Sequence, residues 1–186
     1  DTLFNRFRDS VRRNIRKALK EGVDVRFETG VDAVKTFYGL NCLTRRMHGL
    51  PPQPWAFFAN LHESIIARGA GVVVLGFFQN RPIAANVYLF SNGEAIYKYG
   101  ASDKGYQHLR ANNLLMWEAI RRFAGDGCRQ LCFGRTDPEN EGLRQFKMGW
   151  AAKERIINYH RYHMASGAFM QTTRGISRRA ARLFAS

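Results

Sequence analysis

Tyr97-Lys98-Tyr99-Gly100-Ala101-Ser102-Asp103, Asn112-Asn113-Leu114-Leu115-Met116-Trp117-Glu118-Ala119-Ile120 and the stretch Cys128–Gly134 decide the fold between them. They read as a strand over Ala95–Ala101, a helix over Asn112–Ala124 and a second strand. Two strands joined through one helix lie parallel with a right-handed crossover. Ligands of such units collect beyond the carboxyl ends of the strands, which should splay apart here at Ser102 and Gly134. Both ends are polar: Ser102, Asp103, Arg110, Asn112 and Asn113 follow the first strand, and Arg135, Thr136, Asp137 and Glu139 follow the second. Asn112 or Asn113 should cap the joining helix. A short helix is expected over Pro138–Lys147, with Asp137 as N-cap, Pro138 at the first helical position and Gly149 as its stop.

Upstream, Phe4, Phe7, Val11, Ile15 and Leu19 recur with helical period, predicting a helix from Phe4 to Lys20. Its other face carries Arg6, Arg12, Arg13, Arg16, Lys17 and Lys20, which suits a solvated surface or one that contacts phosphates. Gly22 ends it, and Val23–Phe27 alternates as a short strand. Helices over Val31–Met47 and Trp55–Arg68 are divided by the proline-rich loop His48–Pro54. Strands follow at Gly71–Phe78 and Ile83–Phe90, and Asn92-Gly93 turns into the strand at Ala95. Val72–Leu75 and Val87–Phe90 are apolar on both faces, so helices should cover the sheet on both sides. A last strand is expected over Glu154–Tyr162.

The class is therefore α+β, a mixed sheet in which an antiparallel meander runs into one βαβ unit. We divide the chain into a basic amphipathic helix (1–22), one catalytic-sized domain (23–165) and a basic tail (166–186). The chain's 186 residues suffice for one core, and its 45% hydrophobic content contains no run long enough to span a bilayer. Three cysteines, Cys42, Cys128 and Cys132, give neither a disulfide framework nor metal-site spacing, which fits a reducing compartment. His160 and His163 would fall on opposite faces of an extended strand, against a metal site. The start, Asp1-Thr2-Leu3-Phe4, reads as a piece of a longer chain. The net charge of +14 implies a pull on polyanions such as RNA, anionic lipid or phosphorylated carriers.

The element order and five strings resemble the Gcn5-related N-acetyltransferase (GNAT) superfold, and within it the C-terminal half of the FemAB-like acyltransferases. The strings are Arg13–Ala18, Tyr97–Asp103, Asn112–Ile120, Phe133–Pro138 and Glu141–Trp150. That family includes aminoacyl-tRNA-dependent enzymes of peptidoglycan cross-bridge synthesis and proteins associated with exopolysaccharide and exosortase systems. The resemblance implies an acyltransferase that forms an amide on an amine of a cell-envelope precursor by direct transfer. The donor would be aminoacyl-tRNA or acyl-CoA, and no metal is implied. A CoA-dependent N-acetyltransferase and a non-catalytic domain binding an anionic carrier, RNA or a membrane surface are the alternatives. It further implies a related upstream half, and a cytoplasmic location with peripheral contact to the inner face of an anionic membrane.

Site residues follow from the same resemblance. In the superfold the loop before the joining helix has the pattern Gln/Arg-x-x-Gly-x-Gly/Ala, whose N–H groups cradle pyrophosphate. Here it is Gln107-His108-Leu109-Arg110-Ala111-Asn112, with Arg110 at the first glycine and Asn112 at the last small residue. Arg110 can pair with a phosphate or carboxylate. The Phe146-Lys147 pair matches the FemAB-like motif, so Lys147 is the first catalytic candidate and Asp103 the second. Gly100, inside a strand, permits close backbone approach or close packing. Tyr97, Tyr99, Phe146 and Trp150 are candidates for stacking on a base or sugar, although that spacing also suits a core. Ser102, Asn112, Asn113, Arg135 and Asp137 complete the donor- and substrate-binding set.

Overall fold

The computed structural model describes residues 2–170. Five strands, β1 (Asp24–Glu28), β2 (Gly71–Phe78), β3 (Arg81–Ser91), β4 (Glu94–Ser102) and β5 (Gln130–Cys132), stand in that order. β1 to β4 pair antiparallel, and β5 lies parallel to β4. The β3–β4 turn places Asn92 and Gly93 at φ 52° and 72°, both left-handed, as a tight hairpin of this twist demands.

Each face of the sheet has its own core. On one side α3 (Val31–Met47) and α4 (Trp55–Leu61) bury Phe37 and Phe58 against Val73, Leu75 and Val87. On the other, α2 (Asp9–Lys20) and α5 (Ala111–Gly125) bury Ile15, Leu114, Leu115 and Met116 against Val74, Ala84 and Tyr88. This two-sided cover is what the doubly apolar strands require.

Several boundaries differ from expectation. The N-terminal helix is broken into α1 (Thr2–Asn5) and α2. Arg8 is extended, its N–H bonded to the Gly149 carbonyl at 2.9 Å and its guanidinium to Gln145 Oε1 at 2.7 Å. This bend drops Phe7 onto Trp117 and Trp150, with ring centroids 5.6 and 5.1 Å away. The buried stripe is Phe7, Val11, Ile15 and Ala18, while Leu19 is exposed. The third helix is α-helical only to Leu61 and continues as a π-helix over His62–Ala70, which turns Ile66 into the core.

β5 keeps only three residues of the expected strand. α6 spans Glu141–Met148, and its N-cap is Asn140, which accepts from the Leu143 N–H at 3.1 Å. Asp137 instead accepts from the Glu139 N–H at 3.1 Å, closing an Asx turn that delays the helix. Of the strand expected over Glu154–Tyr162, only Arg161 and Tyr162 pair in a ladder. A separate hairpin of β6 (Arg161–His163) and β7 (Ala168–Met170) follows, and Ile156 is 89% exposed, with no apolar surface to hold a strand against the sheet. Residues 171–186 of the basic tail lie outside the described residues.

Candidate active site

Parallel pairing of β4 with β5 lasts only from Glu94↔Gln130 to Ile96↔Cys132. From Tyr97 to Ser102, β4 continues with no partner on that side among the described residues. The gap thus opens at Tyr97, and not at Ser102 opposite Gly134. Gly134 lies beside Tyr97: a Cβ there would sit 3.5 Å from the Tyr97 carbonyl oxygen. Ser102 is five residues further on, roughly 16 Å at strand rise.

On its other edge β4 carries a bulge. Val87 pairs with Tyr99 and Tyr88 with Tyr97, leaving Lys98 without a counterpart. The extra residue sends Tyr97 and Tyr99 to opposite faces, so they cannot form one stacking platform. Tyr99 packs on Phe37, Phe57 and Phe58 beneath α3 and α4. Tyr97 packs on Tyr88, 5.5 Å between centroids, on the α5 side. Its hydroxyl donates to Asn86 Oδ1 at a long 3.5 Å. Asn86 Nδ2 in turn donates to the Tyr88 hydroxyl at 3.2 Å, which donates to the Met116 sulfur at 3.3 Å. Burial pushes the Tyr97 phenol up to about 12 and the Tyr88 phenol well above its ordinary value.

Gly100 faces the same side as Tyr97, and its lack of a side chain is used at once. A Cβ at that position would collide with the Tyr97 hydroxyl and come 2.9 Å from its Cζ. The tyrosine lies along the strand over the glycine. Of the two readings open for Gly100, close packing is the one the fold uses.

Beyond Gly100 lies a cavity of about 210 Å³ that gathers Ser102, Asp103, Arg110, Asn112, Asn113 and Phe146 from the expected set. Ile83, Ala84, Tyr106, Gln107 and Ala111 complete it. A 3₁₀ segment, Lys104–Leu109, forms one wall. Arg110 is the N-cap of α5, in place of the two asparagines, and is left-handed at φ 60°, ψ 27°. At the glycine position of the phosphate loop the chain keeps a glycine-like backbone with an exposed guanidinium. In the first turn of α5 the Asn113 N–H is taken by the Arg110 carbonyl at 3.0 Å, whereas those of Ala111 and Asn112 have no intrahelical acceptor, and the helix dipole adds positive charge. The buried side-chain oxygen of Asn112 has no partner among the described residues.

Each Asp103 carboxylate oxygen has one partner. One oxygen accepts from the Gly105 N–H at 2.9 Å, and the other pairs with Arg81 at 3.1 Å. Asp103 holds the 3₁₀ wall. Ser102 is pinned through its backbone by the Thr44 hydroxyl, which donates to its carbonyl at 3.1 Å and accepts from its N–H at 3.0 Å.

Lys147, on the last turn of α6, points back under the loop after β5. Its Nζ donates to the Gly134 and Arg135 carbonyls at 3.0 and 3.1 Å. Burial lowers its pKa, an effect the Cys132 thiol partly opposes. Trp150 is 3% exposed against Phe7 and Phe146, which removes it from any ligand-stacking surface. Arg135 is turned outward, donating to the Tyr159 hydroxyl at 2.7 Å. Asp137 lies apart from the cavity, in an open acidic depression with Glu139 and Glu141.

Sequence reasoning left Gln107 out of the site set although it opens the aligned phosphate-loop pattern, and it missed Tyr106 and Asn86. Asn86 left a signal: it is the one amide in the apolar run Ile83–Phe90, and a buried amide needs partners.

The family model described as acetyltransferase (GNAT) domain matches residues 5–148. The chain belongs to that family. Among solved structures, this GNAT domain is similar to FemX at TM-score 0.73 and 18% identity, covering 81% of this chain and 55% of FemX. It thus spans about half of that protein. The aminoglycoside acetyltransferase AAC(6')-Iy, solved with the bisubstrate analogue CoA-S-monomethyl-acetylneamine, matches at TM-score 0.58 and 17% identity, covering 76% of this chain and 99% of that one. AAC(6')-Ih from Acinetobacter baumannii matches at 0.58 and 12%, with the same coverage. At these identities the likeness is one of fold, and the FemX match agrees with the FemAB-like strings. No functionally curated protein matches the sequence. Among the described residues no helix is long and apolar enough to cross a membrane.

Proposed function

We propose that this domain is an acyltransferase that forms an amide on an amine of a cell-envelope precursor. The observation that carries the reading is the unpaired edge of β4, Tyr97–Ser102, leading from the end of the β4–β5 pairing to the cavity at the start of α5. A donor with an anionic part would seat that part on the first turn of α5 and Arg110. Its acyl group would then lie along β4. The acceptor nitrogen attacks the acyl carbon, the carbon–oxygen or carbon–sulfur bond to the donor breaks, and the proton lost by the amine leaves with the donor. Lys147, beside the point where the strands part, is the cation best placed to face the developing negative charge.

Two donor classes remain in play under this proposal. CoA bound to AAC(6')-Iy favours a thioester. The guanidinium at the glycine position and the basic face of α2 favour the larger aminoacyl-tRNA. Both fit an anion seat at α5. The test is incubation of the protein with acetyl-CoA or charged tRNA and an amine-bearing envelope precursor, read by mass spectrometry. An amide product is expected with one donor. Absence of product with both, using a precursor shown to bind, would remove the transferase reading.

A second reading, a non-catalytic domain on an anionic carrier, rests on one observation. Arg13, Arg16, Lys17 and Lys20 project from the side of α2 opposite its buried stripe, with no acidic partner among the described residues. Binding through that face would fall steeply between low and moderate salt.

A further inference from the structure

The ladder between β3 and β4 leads away from the cavity along the α5 face of the sheet. Ala84↔Ser102 is the outer rung, and both residues line the cavity. Asn86↔Gly100 is the next rung on the same face, and Tyr88↔Tyr97 is the one after the bulge. Tyr97 belongs to the innermost rung, yet its ring reaches outward over Gly100. The bulge at Lys98 makes this possible by turning Tyr97 to the α5 face, and the missing Cβ of Gly100 gives the ring its place.

We infer that Tyr97 is the end-stop of the acyl compartment, restricting the transferred group to a short acyl chain; this rests on the acyltransferase reading above. Three observations converge on it. The Tyr97 ring is braced from behind by Tyr88, which is itself wholly buried and tied to Met116. The Tyr97 carbonyl is backed by Gly134, whose own carbonyl is held by Lys147. These contacts hold the ring over Gly100 against displacement by a longer chain. The hydroxyl at its tip makes only one long bond, to Asn86, and so is left to meet a polar atom on a short acyl group.

The tip is a neutral donor. A phenol is protonated through the physiological range, and burial moves this one further in that direction. An alkyl tail placed against it would strip that hydroxyl of water and return no hydrogen bond, which adds to the steric exclusion.

The experiment uses acetyl, butyryl and octanoyl thioesters of N-acetylcysteamine, which carry the acyl group without nucleotide or RNA. Affinities are read by ligand-observed NMR for the wild-type protein, Tyr97→Phe, Tyr97→Leu and Tyr97→Ala. The wild type should bind the acetyl thioester and discriminate against octanoyl by about tenfold or more, the scale on which pockets sort alkyl chains. Tyr97→Phe keeps the ring over Gly100 and should keep the discrimination. Tyr97→Leu retains an apolar side chain but cannot reach Gly100, and should accept octanoyl as well as acetyl. It serves as well if Tyr97→Ala does not fold. Equal wild-type affinity for acetyl and octanoyl, or a Tyr97→Leu protein that still rejects octanoyl, overturns the end-stop and leaves amide formation untouched. Length discrimination without amide formation from either donor removes the transferase reading instead. Failure of every thioester to bind any of the four proteins overturns the inference.

Discussion

Tyr97 and Tyr99 stand two residues apart in one strand and on opposite faces of the sheet, because Lys98 between them is a bulge with no partner in β3. Regular alternation would have put both on one face. The single extra residue gives one tyrosine to the core under α3 and lays the other along the strand above Gly100.

A methyl group at Gly100 must displace the Tyr97 ring. Gly100→Ala is expected to destabilise by about 1–3 kcal/mol, the range of overpacked cores. Denaturant melts of Gly100→Ala in the wild-type and Tyr97→Leu backgrounds check this. The penalty should shrink when the ring is gone, and equal penalties would show that the two residues do not compete for the same space.

Alkaline stability should report the Tyr97 phenol. Its folded-state pKa, about 12, exceeds the ordinary value of 10.0, so the native state holds its proton longer than the unfolded chain. The stabilisation is complete below pH 10 and is lost as pH rises toward 12. Tyr97→Phe should therefore flatten the fall in melting temperature between pH 10 and 12. The residual slope would belong to Tyr88, Tyr99 and Tyr38, whose phenols shift in the same direction.

Lys147→Ala leaves the Gly134 and Arg135 carbonyls without their shared donor. Transfer should fall by about 10²-fold or more, the scale of a lost acid–base or charge-stabilising group. Thermal unfolding should remain cooperative, with a modest loss of about 1–3 kcal/mol for the unpaired groups. Wild-type turnover in this variant would reduce Lys147 to a clamp on the loop.

Arg110 occupies a left-handed conformation that costs a non-glycine residue of order 1 kcal/mol. Arg110→Gly should leave stability equal or slightly improved while donor affinity falls, because the backbone is relieved and the guanidinium removed. Titration of donor against the variant, beside its melting curve, separates the two effects. Unchanged affinity would remove Arg110 from the anion seat.

Charge reversal of Arg13, Arg16 and Lys20 to glutamate should weaken binding to RNA or anionic vesicles and reduce its salt dependence. Amide formation from acetyl-CoA should change little. The comparison shows whether the basic face of α2 serves a polyanion independently of the acyl site, since exposed charges act mainly through screened long-range attraction.

Composition, period and turn chemistry determined a good deal without coordinates. The doubly apolar strands, the Asn92-Gly93 hairpin and the βαβ order are local patterns, and local patterns specify elements and their sequence along the sheet. Ser102, Asp103, Arg110, Asn112 and Asn113 could be assigned to one place because they follow the carboxyl end of one strand, whereas Arg135 and Asp137, expected beside them after the second strand, lie elsewhere. Helix starts proved less legible. Asp137-Pro138 has every mark of an N-terminus, yet Asn140 three residues later offers the same cap chemistry, and the Asx turn takes the first of them.

What only the tertiary structure decided is where side chains point once strands are paired. The bulge at Lys98 depends on the register of β3 against β4, a non-local property, and it alone separates Tyr97 from Tyr99. The capture of Asp103 by Arg81, and of the Gly134 carbonyl by Lys147, likewise joins residues remote in the chain. Elements arise from neighbours in sequence, whereas the shape and charge of the cavity arise from neighbours in space, which the strand register selects.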